Sequence, residues 1–427
     1  MSATLQETKI LSARWDRPDG NTLAGYLATG GYEALRTALE MQPDQIIETV
    51  KESNLRGRGG AGFPAGLKWS FIPKDRRPSY IVCNFDEGEP GTFKDRELVE
   101  RDPHQMIEGM AIASLAIGAH EMYIFCRGEF AYAARVLERA IAEAMQEGYL
   151  GKGILGSDYD LDCILVRGAG AYICGEETAL LEAIEGRRGQ PRLRPPFPAT
   201  HGLFNLPTVV NNVETFACVP HIISRGAEWF RSLGTEKASG TKIFSISGDV
   251  EKPGNYEVPF GTSARDLIEG FAGGVKGGKG LKAFTPGGAS STPFFGPEEL
   301  DVGMDWESVQ EAGSLLGTGA IIVFSEDRCM VRAAHRYTRF YAHESCGKCT
   351  PCREGTYWLE QTLRRFEAGG GREDDLPILL DVANSIPGRS FCALGDFSAA
   401  PVTSTVRRWE ADFRKHIGSG GGCPIEP

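Results

Sequence analysis

Leu161-Asp162-Cys163-Ile164-Leu165-Val166-Arg167-Gly168-Ala169-Gly170-Ala171-Tyr172-Ile173-Cys174-Gly175-Glu176-Glu177 is the stretch that decides the fold class. Its opening residues read as a buried strand. Gly168 and Gly170 then turn the chain, and the spacing from Glu176 to Ile184 is helical. A strand that passes through a glycine turn into a helix is the repeating unit of a parallel α/β layer. The same alternation runs upstream: Tyr80 to Asn84 reads as a short strand, residues 104 to 119 as a buried helix, Met122 to Cys126 as a strand, and Ala131 to Gln146 as a helix. Residues 32 to 54 have helical spacing that Pro43 divides in two.

The pattern changes near residue 240. Lys242 to Gly248 and Gly254 to Val258 read as a hairpin, Ala264 to Phe271 as a short helix, and Leu281 to Thr285 and Ala320 to Phe324 as further strands. That order in so short a span predicts a small β-grasp (ubiquitin-like) module of the soluble-ligand-binding type. From Met330 the spacing is helical to the end, interrupted by a cysteine loop and by Gly369-Gly370-Gly371. Gly418-Ser419-Gly420-Gly421-Gly422 reads as a loose tail. The predicted division is 1–240, a Rossmann-like α/β domain with an N-terminal helical segment and a glycine-rich loop; 241–328, the β-grasp domain; and 329–427, a helical bundle.

Length and composition set the outer bounds. The chain has 427 residues, 41% hydrophobic and 24% charged, ordinary values for about two to four globular domains. Eleven cysteines, an odd number, read as reduced thiols and ligands, not as a disulfide framework. Met1 to Glu7 lacks an apolar h-region, which predicts no signal peptide. The most apolar stretch, Gly109 to Ala119, is too short to span a bilayer. A formal net charge of −11 argues against nucleic acid as a partner. Any membrane link is expected to run through other subunits.

The chemistry is carried by a few motifs. Cys346, Cys349 and Cys352 stand at three-residue spacing in Glu344-Ser345-Cys346-Gly347-Lys348-Cys349-Thr350-Pro351-Cys352-Arg353-Glu354-Gly355. This C-x2-C-x2-C run, completed by a distant fourth cysteine, is the spacing that grips a [4Fe–4S] cluster. Zinc is the rival reading, but structural zinc sites pair two C-x2-C knuckles or add histidine. Gly57-Arg58-Gly59-Gly60-Ala61-Gly62 matches G-x-G-x-x-G yet follows a helix and meets Pro64, so it is no dinucleotide-binding turn. Its glycines allow close backbone approach to a flat or anionic ligand, and Arg58 and Lys68 offer charge for a phosphate. A merely flexible loop is the competing explanation. Gly273 to Gly280 nearly spells a P-loop, but Gly280 stands where Ser or Thr would hold Mg²⁺.

Glu176 and Glu177 open a helix after a strand and turn, where they suit the helix dipole or accept bonds from sugar hydroxyls. Val209-Val210-Asn211-Asn212-Val213-Glu214-Thr215 reads as a capped helix start. Asn212 and Thr215 there suit either a phosphate or capping alone. Phe63, Phe71 and Phe197 flank these loops and suit stacking on rings, or a core. Together the residues predict a site for a phosphorylated aromatic ligand and an iron–sulfur centre. Competing readings are a nucleic-acid processing iron–sulfur protein, for which a P-loop and a basic face are missing, and an electron-relay scaffold without flavin.

These motifs, with Asn84-Phe85-Asp86-Glu87-Gly88-Glu89-Pro90-Gly91-Thr92, resemble in order those of the NADH-binding flavoprotein (the F subunit, 51 kDa type) of respiratory NADH:quinone oxidoreductase, complex I. Flavin subunits of NAD-reducing hydrogenases and NAD-dependent formate dehydrogenases look similar and are the alternative. The resemblance implies FMN held by Gly57, Arg58, Gly59, Gly60, Lys68, Asn84, Asp86, Tyr172, Glu176, Asn211, Asn212 and Thr215. It implies NADH as substrate, with adenine near Phe63, Phe71 and Phe197 and ribose hydroxyls on Glu89 and Glu177, and no acid–base catalytic residue. It implies Cys392, in Ser390-Phe391-Cys392-Ala393-Leu394-Gly395, as the fourth cluster ligand, with Cys423 and Cys329 as rivals. Family members usually carry Lys where Arg194 stands and often Ser where Ala183 stands. Implied partners are a thioredoxin-like [2Fe–2S] subunit and the large iron–sulfur subunit of the peripheral arm. The implied location is cytoplasmic, on the inner face of the inner membrane.

Overall fold

The computed structural model describes residues 5–426; Pro427 and Met1–Thr4, over which no signal peptide is expected, lie outside the described residues. Two helices, α1 (Glu33–Glu40) and α2 (Pro43–Glu52), fill the predicted segment around Pro43. Pro43 sits in the first turn, where its missing N–H costs nothing, and the Gln45 side chain accepts from the Gln42 amide at 2.8 Å.

The first sheet is wholly parallel. Its strands are β1 (Tyr80–Phe85), β2 (Glu121–Cys126), β3 (Asp162–Arg167) and β4 (Thr208–Asn212), in the order β3-β2-β1-β4. Between them run α3 (Pro103–Ile117), α4 (Ala131–Gln146) and α5 (Glu177–Ile184), and α6 (Val213–Arg225) follows β4. This is the Rossmann-like layer expected from the alternation. Residues 208–212 correct it in part, because a fourth strand precedes the helix start, where only a capped helix is expected. All fifteen residues of α3 are buried, and the helix packs on α6, α1, α2 and β1. Gly109 permits the α3–α6 approach: a Cβ there would lie 1.9 Å from the Phe216 carbonyl oxygen.

A second sheet holds β5 (Thr241–Gly248), β6 (Gly254–Pro259), β7 (Leu281–Phe284) and β8 (Ala320–Ser325), ordered β6-β5-β8-β7. The outer pairs are antiparallel and the central β5–β8 pair is parallel. A wide helical turn at Asp266–Phe271 lies between β6 and β7, and its Leu267 packs with Phe244, Phe284 and Ile321. The third region is helical: α7 (Met330–Glu344), α8 (Thr350–Glu367), α9 (Asp375–Ser385), α10 (Ala393–Arg408) and α11 (Glu410–Lys415) enclose Leu359, Leu363, Phe366, Leu379, Val402 and Phe413. The C-terminal glycine run is not loose. The Gly418 and Gly420 amides donate to the carbonyls of Gly371 and Gly369 at 3.2 and 3.1 Å, and Cys423 is buried.

Topology fixes where a ligand can sit. The crossover order reverses between β1 and β4, and ligands of open parallel sheets bind outside the carboxyl ends at such a switch point.

Candidate functional site

Asn84, Asp86, Asn211 and Asn212 stand at those carboxyl ends because β1 and β4 stop beside one another, with Asn84 paired in register to Asn212. The glycine loop closes over them. Its neck is held by Gly57 N donating to Phe63 O at 2.9 Å and Ala65 N to Leu55 O at 2.8 Å, and the Arg58 amide donates to Thr215 Oγ1 at 2.8 Å. Gly60 has φ +134°, and a Cβ built there meets nothing nearer than 4.0 Å, so it faces open space. A Cβ on Gly59, by contrast, would press on Asn212 at 3.0 Å.

Arg58 requires a correction. Its guanidinium is fully buried, lies 4.5 Å over the Phe260 ring and donates to Ser239 O at 2.8 Å. Its Nε and Nη1 have no hydrogen-bond partner, but the Phe260 and Trp306 rings cover the guanidinium, so the charge packs the loop against the second module. Lys68 Nζ, also expected to be a free charge, donates to Glu177 Oε2 at 2.7 Å and Val210 O at 2.8 Å. Asn212 caps α6 by accepting from Glu214 N at 3.0 Å, while its amide donates to Asp95 at 2.6 Å. Asn211 Oδ1 accepts from the Trp69 indole at 2.9 Å. These Asn and Thr side chains thus hold the crevice wall, and for Asn212 the capping reading applies.

Four buried carboxylate oxygens among the described residues are without a hydrogen-bond partner, and two of them, Asp86 Oδ2 and Glu176 Oε1, lie at the end of β1 and in the 172–176 turn. Asp86 follows Asn84, whose amide holds the Gly175 carbonyl at 2.8 Å, so the end of β1 and the 172–176 turn are tied together. A Cβ on Gly175 would lie 3.8 Å from Asp86 Oδ2, so glycine leaves that oxygen room. Burial raises the Asp86 carboxyl to about 7. The other oxygen of Glu176 caps α5, accepting from Thr178 N and Ala179 N at 3.0 and 2.9 Å. Arg194 Nη2 comes within 3.3 Å of Glu176 Oε1 without hydrogen-bonding geometry. Orphaned buried acceptors are costly, so a ligand bearing hydroxyl donors fits this place.

Glu177 is chelated by two cations, Lys68 and Arg194, the latter donating at 3.0 Å. Burial works to raise its pKa, but the two cations outweigh burial and hold the carboxyl below its ordinary range. Glu89 is buried and accepts from Tyr172 Oη at 2.7 Å and Ser290 N at 2.7 Å, linking the turn to the second module. Phe63, Phe71 and Phe197 are 46%, 51% and 57% exposed, and the first two rings lie 6.2 Å apart. Exposed aromatics beside an ion-paired cleft are surfaces for stacking, not core.

A buried charge cluster beneath the crevice escapes sequence reasoning. Glu214 bonds Lys94 at 2.8 Å and Lys242 at 2.9 Å, and Lys94 bonds Asp95 at 2.7 Å. Burial would raise Glu214, but Lys242, Lys94 and Arg58 hold it at about 2. Only Lys94-Asp95 adjacency hints at this in the sequence; the remaining partners are brought in by tertiary packing.

Cys346, Cys349, Cys352 and Cys392 line one small hollow with Ile173, Pro191, Phe391 and Leu394. Cys349 caps α8 and Cys392 caps α10, so two helix starts aim at the same point. No three of these four sulfurs lie within 4.8 Å of one another. Around one tetrahedral zinc they would be about 3.8 Å apart, so the wider spread fits a multi-iron cluster and not a single ion. Burial pushes the Cys352 and Cys392 thiols up to about 11, so only a cationic centre would draw thiolates from so apolar a pocket. Polar groups ring its mouth: Gln190 donates to Cys346 O at 3.1 Å, and Phe391 N donates to Cys349 Sγ at 3.4 Å. The rivals Cys423 and Cys329 lie elsewhere, beside His416.

The two sites share one turn. The Tyr172 amide donates to Glu344 Oε2 at 3.0 Å, two residues before Cys346. The Tyr172 hydroxyl reaches Glu89 on the crevice side, and the adjacent Ile173 lines the cysteine hollow.

Comparison with known proteins gives concordant results. Residues 50–221 match the Nuo51 FMN-binding domain, and residues 332–416 match the NADH-ubiquinone oxidoreductase-F iron-sulfur binding region. The NADH-quinone oxidoreductase F subunit of Mycobacterium tuberculosis (strain ATCC 25618 / H37Rv) is 53% identical over 428 residues, covering 98% of this chain and 96% of that protein. The NADH-quinone oxidoreductase F 2 subunit of Rhizobium meliloti (strain 1021) is 55% identical over 96% of this chain and 97% of its own length. Among solved structures, the NAD+-reducing [NiFe]-hydrogenase in the H2-reduced state superposes with a TM-score of 0.84 at 36% identity, over 96% of this chain and 67% of that one.

Proposed function

The chain belongs to the family of NADH-quinone oxidoreductase F subunits, and from that premise we propose how its crevice and cysteine hollow work together. The protein is the electron-input subunit of an NADH:quinone oxidoreductase: it oxidises NADH with FMN and passes the electrons to a [4Fe–4S] cluster. The higher identity and near-complete reciprocal coverage group it with the quinone-linked relatives, not with the hydrogenase. The observation that carries the reading is the shared turn, with Tyr172 facing the crevice and Ile173 the hollow.

FMN, when bound, would supply hydride acceptance and release of electrons one at a time, chemistry that belongs to the cofactor. The chain's own residues bind and orient. Gly59 and Gly60 let the loop backbone approach the flavin, with the neighbouring Gly57 and Arg58 amides shaping the same loop. Asp86 Oδ2 and Glu176 Oε1 accept from ligand hydroxyls. Asn84, Asn211, Asn212 and Thr215 act through the backbone they fix. Phe63, Phe71 and Phe197 offer stacking faces for the adenine, Glu89 and Glu177 orient the dinucleotide, and Lys68 holds Glu177 ionised. Cys346, Cys349, Cys352 and Cys392 hold the cluster. No side chain is assigned as acid or base, because hydride transfer depends on stacking and orientation.

Within a multi-subunit complex, the specific partners are the thioredoxin-like [2Fe–2S] subunit and the large iron–sulfur subunit, and the location is the cytoplasmic side of the membrane. No helix among the described residues is long and apolar enough to cross a bilayer, which supports peripheral attachment. The functional division follows 1–240, 241–328 and 329–427. The test is one absorption spectrum of anaerobically purified protein before and after NADH. Flavin bleaching together with loss of the iron–sulfur absorbance is expected, and a colourless protein refutes the reading.

A further inference from the structure

We propose that Cys329, His416 and Cys423 form a mononuclear zinc site that fastens the C-terminal tail to the start of α7. Their ligand atoms all lie within 4.8 Å of one another, the only such group of three or more among the described residues. His416 Nε2 is 3.5 Å from Cys329 Sγ and 3.3 Å from Cys423 Sγ. Ligands on one tetrahedral zinc, with Zn–S about 2.3 Å and Zn–N about 2.0–2.1 Å, stand about 3.6 Å apart. Both histidine–sulfur spacings therefore match those that a single ion imposes, and the two sulfurs lie within 4.8 Å of one another. In this they differ from the four cysteines of the hollow, whose sulfurs are spread too far for one ion.

The surroundings are arranged as those of a metal ligand set. His416 Nδ1 bonds the Asp412 carbonyl oxygen at 2.7 Å, which puts its proton on Nδ1 and leaves the Nε2 lone pair aimed at both sulfurs. Glu426 N donates to Cys423 Sγ at 3.2 Å, which fixes that sulfur beside the imidazole. The Glu426 carboxylate accepts from Cys329 N at 2.8 Å and from Arg332 at 2.9 Å, so it braces the ligands from outside. With both its oxygens engaged, the fourth zinc position falls to a solvent oxygen. All three ligands are buried, His416 completely.

Charge and topology supply the reason for such a site. Two thiolates, a neutral imidazole and Zn²⁺ sum to zero, so the assembled centre carries no net charge into the interior, and two thiol protons leave on binding. The ligands come from three places, the residue before α7, the residue after α11 and the tail beyond the glycine run. One ion thereby closes a loop of chain that backbone bonds at Gly418, Gly420 and Gly422 hold only at its edge.

The experiment uses full-length protein purified anaerobically from cells supplied with zinc. Metal analysis should find about one zinc per chain beside the iron, and zinc K-edge absorption should show a shell of two sulfurs and two lighter nitrogen or oxygen atoms. Cys423→Ser and Cys329→Ser should each lose that zinc while retaining iron and flavin; Cys392→Ala should do the reverse and keep it. The proposal is overturned by wild-type protein with less than about a tenth of a zinc, by an all-sulfur zinc shell, by zinc retained in both serine variants, or by a Cys329–Cys423 disulfide in peptide mass spectra. If the serine variants fail to fold, the absorption edge of the wild type decides alone.

Discussion

On the proposed placement of the dinucleotide, Glu177 is expected to set the choice between NADH and NADPH, and Glu177→Gln is the perturbation that tests it. If the adenosine ribose lies on this carboxylate, a 2′-phosphate would sit about 4 Å from a charge held ionised by Lys68 and Arg194. One pair of like charges at that distance costs about 4 kcal/mol at an effective dielectric of about 20. The two cations, at 2.7 and 3.0 Å from the carboxylate, return part of this, since both also lie near the phosphate. A net penalty of about 2–3 kcal/mol corresponds to a preference for NADH of about 30- to 150-fold. Glu177→Gln removes the repulsion and frees both cations, so the preference should fall by at least about tenfold, mainly through NADPH. The assay is kcat/KM for each nucleotide with ferricyanide as acceptor, at two salt concentrations, because a charge effect must shrink with ionic strength. Wild-type values within about threefold of each other, or a ratio unmoved in Glu177→Gln, would refute the placement of the ribose. Glu176→Gln should change the ratio less, because one Glu176 oxygen is committed to capping α5.

Gly60→Ala should release FMN while iron is retained, because φ +134° strains any side chain and the loop backbone would have to shift; stoichiometric flavin in the purified variant would end the cradle reading. Cys392→Ala should lower bound iron and leave flavin in place, checked by iron and flavin assays on one preparation, and an intact cluster would return the fourth ligand to question. His221 is held neutral by burial, its pKa lowered to about 3 from about 6.5 in the unfolded chain, so it binds fewer protons when folded and its contribution is lost as pH falls below about 6.5. Asp86, Glu87 and Asp102, all raised to about 7, act with the opposite sign, so only the difference between wild type and His221→Gln is diagnostic. Denaturant titrations should show wild type losing about 2 kcal/mol relative to the variant between about pH 7.5 and 5, and parallel curves would contradict a neutral buried ring.

Local signals account for much of what can be read in advance. The strand–turn–helix at 161–184, the halves around Pro43 and the cysteine triplet each declare themselves by period or spacing within about twenty residues. What stays hidden depends on partners far apart in the chain. β4 is short, and Asn211-Asn212 reads as a cap because it is one; its pairing with β1, over a hundred residues away, supplies the strand. Arg58 reads as a phosphate ligand because a sequence cannot say which side of a loop faces solvent, and here Phe260 and Trp306 cover the guanidinium.

The same limit explains the tail. Glycine-rich composition predicts looseness only when nothing anchors the far end, since the entropy of a flexible segment is lost once a contact beyond it is made. Gly418 to Gly422 lead to Cys423, and Cys423 meets Cys329 and His416. Read from composition, the glycines mark a disordered end. Read with the anchor in place, they are the residues that let the chain turn back under α8: five consecutive positions include Gly418, Gly420, Gly421 and Gly422 at positive φ, a path that L side chains rarely follow. Replacing Gly420 with Val would therefore strain the return path and should loosen Cys423 without touching any ligand. Alkylation of Cys423 under native conditions should rise several-fold over wild type, and equal protection in both would show that the anchor does not depend on the turn.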